Sequence, residues 1–328
     1  MILFYGCTAD PPLMRAVETA RELDVECVLI DQAELDQADM LLEVGSNGVT
    51  GRIVAGGVTI PLPAVSAVYA RPLGLPNHWR DDLARLRAQV FHELFLEWLD
   101  MTPILVLNRP LAMESNSSKP FQSQQTRAAG FEIPETLVTN DADEARAFWS
   151  AHGRVIYKSI SGVRSIVREL DDAAAMRLGR LRALPVQFQE LVPGDDVRAH
   201  VVGSAVLACD VRSDAVDYRY AARDGLDAAL TEIDLPTEIH ERCRNLASSL
   251  DLPFCGIDLR RTPDGRWVCF EVNPMPAYTY FESTSGLPIA RTLVELMSAH
   301  RSIFEGAFEQ ASRGSCRRRV TSDVSSNR

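Results

Sequence analysis

Nothing in the 328 residues approaches the roughly 18 consecutive apolar residues of a membrane span. The opening MILFYGCTADPP has no basic segment before its short apolar stretch, so neither a membrane helix nor a secretory signal peptide is expected. Positive charge is also short. A net charge of −11 argues against a duplex nucleic-acid binder, whose phosphate contacts need a basic face. The seven cysteines (Cys7, Cys27, Cys209, Cys243, Cys255, Cys269 and Cys316) are odd in number, form no CxxC and sit mostly inside apolar runs. Buried free thiols in a cytoplasmic protein are therefore expected, rather than a disulfide framework or a zinc site. HExxH, GxSxG and GxxxxGK[ST] are all missing, as is a His-Cys pair at a protease spacing. Metalloprotease, serine hydrolase, thiol protease and Walker A readings have no support. No internal repeat is visible.

What is present is an ordinary globular composition, 46% apolar and 24% charged, in a chain long enough for two or three domains with cores of their own. Residues 2–7 (ILFYGC) and 25–31 (VECVLID) read as strands flanking a helical pattern from about Pro12 to Leu23. This β-α-β opening points to a small doubly wound parallel sheet. Residues 41–61 hold Ser46-Asn47-Gly48 and Gly56-Gly57 among β-branched residues, the pattern of a meander of short hairpins. Residues 65–71 form a further strand. Residues 81–99 read as an amphipathic helix with Leu83, Leu86, Val90, Leu94 and Trp98 on one stripe, and His92 on it as a satisfied surface or core residue. The strand at 104–108 runs into Arg109-Pro110, the expected first domain boundary. At the other end, residues 314–328 are basic and Ser/Arg-rich with little to bury, and read as a disordered tail.

The most informative stretch runs from Phe254 to Glu282. Two short apolar runs, 254–259 and 267–272, are joined by Thr-Pro-Asp-Gly, which reads as a β-hairpin. Asp258 lies in the first run, and Glu271 and Asn273, two apart, share a face of the second. A loop centred between Asp264 and Gly265 sets Asp258 directly opposite Glu271. Pro263 disfavours that two-residue loop, a three-residue loop shifts the pairing by one, and a bulge restores it. Two carboxylates and an amide oxygen facing one another repel unless a cation sits between them, and an all-oxygen set suits Mg2+ better than Zn2+. Mg2+ completes its shell from water and substrate phosphate, so phosphate is expected nearby; the alternative is a surface hairpin with its acids in solvent.

Two lysines fit that expectation. Asn116 to Ser118 cap a helix that ends at Gly130, and Lys119 falls in its first turn, where a cation is unfavourable unless an anion is present. Lys158 stands inside an apolar strand and needs a partner. After it come Ser159, Ser161, Gly162, Arg164 and Ser165, small residues that let backbone N–H groups approach phosphate. A helix over 172–183 and strands over 186–191 and 196–203, joined by Pro193-Gly194-Asp195, follow. The helix over 236–250 carries Ile239, Cys243, Leu246 and Leu250 on one stripe, and a last helix is expected over 288–308.

The set Asp258, then Glu271-Val272-Asn273-Pro274, resembles the metal-binding end of the ATP-grasp ligase superfamily. The likeness extends over roughly 108–295, and is strongest to the branch containing the RimK-type ribosomal-protein glutamate ligases and the graspetide (microviridin-type) peptide macrocyclases. It implies an N-terminal α/β domain (1–109), a central (110–185) and a C-terminal (186–313) α+β subdomain that clasp ATP between them, and the tail (314–328). By the same resemblance Asp258, Glu271 and Asn273 hold Mg2+, with Mn2+ as the alternative. Lys119, Lys158, Glu190, Leu191 and Asp196 hold the nucleotide, Glu190 and Leu191 at the adenine edge and Asp196 at the ribose. Arg198 and Arg219 contact phosphate or a substrate carboxylate, which suits the planar arginine fork. The chemistry implied is ADP-forming: a carboxylate attacks the γ-phosphate to give an acyl phosphate, which an amine or hydroxyl then opens. The acceptor is left open between a ribosomally made precursor peptide and an amino-acid ligase reaction on a protein or small-molecule carboxylate. A nucleotide-binding regulatory protein is the non-enzymatic alternative, and a homo-oligomer also stays open.

Overall fold

The computed structural model describes residues 1–46, 48–160, 167–213 and 228–300. The chain divides into two compact units, one formed by Met1–Arg109 with residues 290–300, the other by Pro110–Ile289.

In the first unit a parallel sheet runs in the order Cys27–Asp31, Ile2–Gly6, Ala67–Ala70 and Leu105–Leu107. Ile2–Gly6 is buried throughout, as a parallel strand covered on both faces must be, which is why it reads as an unbroken apolar run. Helix Pro11–Glu22 follows it, and Asp39–Gly45, Gly48–Ala55 and Val58–Pro61 make a separate antiparallel meander. His92 accepts or donates at Nδ1 to the buried Tyr5 hydroxyl, and so is a satisfied partner within the core.

The long helix, Asp82–Met101, buries a different stripe from the expected one. Ala84, Ala88, Phe91, Phe95, Trp98 and Leu99 face the core. Leu83, Leu86 and Val90 are 66%, 55% and 53% exposed. The sequence offers two apolar faces, and the small Ala84 and Ala88 let the helix come close enough for the three aromatic rings to pack, so that face goes inward. Residues 289–300 are helical, with Leu293, Val294 and Met297 buried; residues 290–300 group with the first unit.

The second unit holds two antiparallel sheets. One runs in the order Arg168–Glu169, Val155–Ser159, Val186–Glu190 and Thr136–Thr139. Its Val155, Phe188 and Tyr157 pack under helix Ala142–His152. The other runs Ala228–Ile233, Ala205–Ser213, Asp195–Val202, Phe254–Arg261 and Trp267–Asn273, with helix Thr237–Ser249 on its apolar face. The helix expected over 172–183 is one turn, Asp172–Ala175, followed by a 3-10 segment, Leu178–Ala183. Strands Val186–Glu190 and Asp195–Val202 are not a hairpin. They belong to different sheets, so the chain crosses from one to the other over residues 191–194. The six described cysteines are free, four of them buried, and burial pushes the Cys243 thiol up to about 12, which leaves it protonated and unreactive. No described helix is long and apolar enough to cross a membrane.

The choice of inward face predicts a contrast within one helix. Phe95→Ala should cost about 3–5 kcal/mol, whereas Leu86→Ala should stay within about 0.5 kcal/mol. Denaturant unfolding of the two full-length variants measures both, and the reverse ranking would restore the Leu83-Leu86-Val90 stripe as the buried one.

Candidate active site

The five-stranded sheet supplies a site by register alone. Residues directly opposite in antiparallel strands share a face. Arg198 lies opposite Asp258, and Asp258 opposite Glu271; one step along, His200 lies opposite Gly256, and Gly256 opposite Asn273. Two transverse rows result. In the hairpin itself Leu259 pairs with Cys269 while Asp258 pairs with Glu271, so Phe270 is the extra residue of a β-bulge. The bulge offsets the shift that the Thr262–Arg266 turn imposes, and so Glu271 stands beside Asp258 rather than on the opposite face.

Each acid in this pair has a cation. Arg198 Nη1 donates to Asp258 Oδ1 at 2.5 Å, with the guanidinium 5% and the carboxylate 18% exposed. Lys119 Nζ donates to Glu271 Oε2 at 3.4 Å. Lys119 opens helix Lys119–Ala128, and its position is fixed one turn later by Gln122. The buried Gln122 amide donates to Val272 O and accepts from Val272 N–H, both at 2.8 Å. The helix is thereby fastened to the backbone between Glu271 and Asn273. Asn273 Oδ1 accepts the Met275 N–H at 2.9 Å, which orients the amide beside the acids.

The donor set fits a hard divalent ion. Among the described residues no three His, Cys, Asp or Glu side chains gather. The protein therefore offers two carboxylates and one amide oxygen, and an octahedral shell keeps places for water and phosphate oxygens.

The other lysine stands on the four-stranded antiparallel sheet of the same unit. Lys158 is 8% exposed and pairs in register with Gln187. Gln187 and Lys119 both line a cavity of about 690 Å³ with Arg127, Phe131, Pro134 and Thr136. Gln187 Oε1 is buried with no partner among the described residues. Glu190 ends its strand and Leu191 begins the crossing segment. Their N–H groups are committed to Glu135 O at 3.0 Å and Arg154 O at 2.9 Å, and Glu190 Oε1 accepts the Glu135 N–H at 3.1 Å. Asp196 takes Arg260 Nε and Nη2 at 2.8 and 2.6 Å. Arg219, with Ser161, Gly162, Arg164 and Ser165, lies outside the described residues.

Four residues near the site were not singled out from the sequence. Gln122 had a signal, since three residues after Lys119 it shares that helix's face. Arg260 had one too, two residues beyond Asp258 on the same strand face. It also donates to Val192 O at 2.7 Å and lies 5.1 Å over the Phe270 ring. His200 and Gly256 had none, because their meaning depends on the pairing of strands 195–202 and 254–261.

The description RimK-like ATP-grasp domain matches residues 118–297, and those residues contain every element just described. The chain belongs to the RimK-like ATP-grasp family. It is an ATP-dependent ligase, and ATP-grasp ligases work with a divalent metal. A probable alpha-L-glutamate ligase of Enterobacter sp. (strain 638) is 25% identical over 251 residues, 73% of this chain and 82% of that protein. The ATP-grasp ligase PsnB, solved with a minimal precursor, is 27% identical with a TM-score of 0.74, over 92% of this chain and 98% of its own; it has also been solved with a phosphomimetic precursor variant, Mg and ADP. The macrocyclase MdnC of Microcystis aeruginosa MRC, bound with precursor peptide MdnA, has a TM-score of 0.75 at 19% identity, over 91% of this chain and all 100% of that one, and shares the fold.

In this ATP-grasp ligase, Glu271→Gln keeps the shape of the side chain while removing one of two opposed charges. Turnover of Mg2+-ATP should fall by about 10²-fold or more with the unfolding curve unchanged. Full turnover in a folded Glu271→Gln protein would remove the acid pair from the site.

Proposed function

We propose that this ligase activates a carboxylate of a ribosomally made peptide with ATP and joins it to an amine or hydroxyl. The observation that carries the reading is the likeness to PsnB, which was solved with its precursor. That likeness runs through 92% of this chain and so includes the first unit, whereas the glutamate ligase match covers 73%. The same glutamate ligase match supports the second reading, a RimK-like amino-acid ligase acting on a protein or small-molecule carboxylate.

Bound ATP supplies the phosphoryl group, and a divalent ion, Mg2+ ahead of Mn2+, neutralises charge on it. The protein's residues hold and orient. Asp258, Glu271 and Asn273 form the metal face. Lys119 and Lys158 bring positive charge to the phosphates from the helix and from the four-stranded antiparallel sheet, which correspond to the 110–185 subdomain. Glu190, Leu191 and Asp196 line the nucleotide along the crossing segment, and Arg198 and Arg219 meet the phosphoryl group or the substrate carboxylate. A substrate carboxylate oxygen bonds to the γ-phosphorus as the bridging P–O bond to ADP breaks. The incoming nucleophile then bonds to the acyl carbon and loses its proton as phosphate leaves with its electron pair. Catalysis on this account is positioning plus electrostatics, and no protein nucleophile is required. Free thiols and dependence on ATP favour a cytoplasmic setting.

Two measurements test the reading. Turnover should yield ADP and phosphate, separable by chromatography from AMP and pyrophosphate, and AMP as product would mean the wrong ligase chemistry. Lys158→Ala should weaken ATP binding, whereas Arg219→Ala should mainly lower kcat, because contacts made only at the transition state appear there. Calorimetry beside steady-state rates decides; equal losses of affinity with kcat untouched would undo this division of roles.

A further inference from the structure

Arg198 is the most enclosed charged side chain of the site, 4% exposed, and its surroundings are shaped around the guanidinium. Gly256 lies beneath it. A Cβ at Gly256 would stand 1.8 Å from Arg198 Nη2 and 2.4 Å from Cζ, so only a residue without one leaves the space. The backbone does not ask for glycine there, since Gly256 is not among the residues with positive φ. A glycine inside a strand is less favourable than alanine, which makes close approach the physical reason for it.

Three other groups complete the enclosure. Phe281 presents its ring at 5.3 Å from the guanidinium carbon, a cation–π contact. His200 Nε2 lies 3.5 Å from Arg198 Nε. Burial first, and the Arg198 charge second, hold the His200 imidazole far below its ordinary pKa, so it faces the arginine as a neutral acceptor. Its Nδ1 is buried without a partner among the described residues, so the contact with Arg198 is the hydrogen bond that orients the ring. Asp258 Oδ1 fixes Nη1.

We propose that Gly256 is a positioning residue, with His200 and Phe281, that holds the Arg198 guanidinium in one plane before substrate arrives. This rests on the role of Arg198 proposed above. A guanidinium already held in place need not be ordered during the reaction. Because the atom in the way of a Cβ is the end of a flexible side chain, Gly256→Ala displaces the guanidinium and leaves the fold intact.

The test uses the full chain with Mg2+-ATP and reads conversion to ADP under single-turnover conditions, the Kd for Mg2+-ADP by calorimetry, and thermal unfolding. Gly256→Ala should slow conversion by up to about 10²-fold, the scale of a 1 Å misplacement, with Kd and unfolding temperature unchanged. Gly256→Ala combined with Arg198→Ala should be no slower than Arg198→Ala alone, because the two act through one group. Phe281→Leu should behave in the same way and carries the test if Gly256→Ala does not fold. An unchanged rate in Arg198→Ala would overturn the role of that arginine. A slow Arg198→Ala protein beside a Gly256→Ala protein of normal rate, or fully multiplicative losses in the double variant, would overturn the positioning role and leave Arg198 in place.

Discussion

Asp258 and Glu271 face each other on neighbouring strands, and two carboxylates so placed repel unless positive charge is supplied. Much of the second unit answers that requirement. Arg198 comes from the strand on one side, and Lys119 from the helix on the other. The helix is in turn tied to the Val272 backbone by a single glutamine. Two acids and two bases cancel, so a divalent ion added to them leaves a surplus of two positive charges. That is the electrostatic environment a polyphosphate needs.

The same requirement explains why the two sheets differ. The five-stranded sheet buries one face under helix Thr237–Ser249 and loads the other with charge. The four-stranded sheet contributes a nearly buried Lys158 beside buried glutamine amides. Lys158 lies in register with Gln187, which lines the cavity together with Lys119. Among the described residues, the crossing at 191–194 is where the chain passes directly from a strand of one sheet into a strand of the other, and Arg260 braces it by holding Val192 O and Asp196 together.

Local pattern made part of this legible. Two short apolar runs located both strands of the hairpin, and the loop residues brought the Asp258–Glu271 pairing within one residue, the remaining step being the bulge at Phe270. Lys119 at the start of its helix and Lys158 inside its strand were equally visible, because each is a charge where a charge is costly. The meander and the β-α-β opening followed from turn residues and apolar runs. The Arg198–Asp258 contact was out of reach, since it joins strands sixty residues apart through a register no local rule specifies. Gly256 has meaning only once Arg198 lies over it. The long helix misled for another reason, having two apolar stripes of which packing against aromatic rings selects one.

The bulge at Phe270 divides the hairpin into two segments with different phase. Between the turn and the bulge, strand positions count in step with the Thr262–Arg266 loop; beyond it they count in step with Asp258. Regular pairing through that position, with no residue set aside, would bring Phe270 opposite Asp258 and act like a frameshift in space, turning Glu271 and Asn273 into the apolar layer under the sheet and bringing Val272 out in their place. Exchanging residues within the turn, by contrast, leaves the phase of the acids untouched. The tip of the hairpin is thus a region in which this enzyme can drift in sequence, and the bulge at Phe270 the point at which the phase of the acids is set.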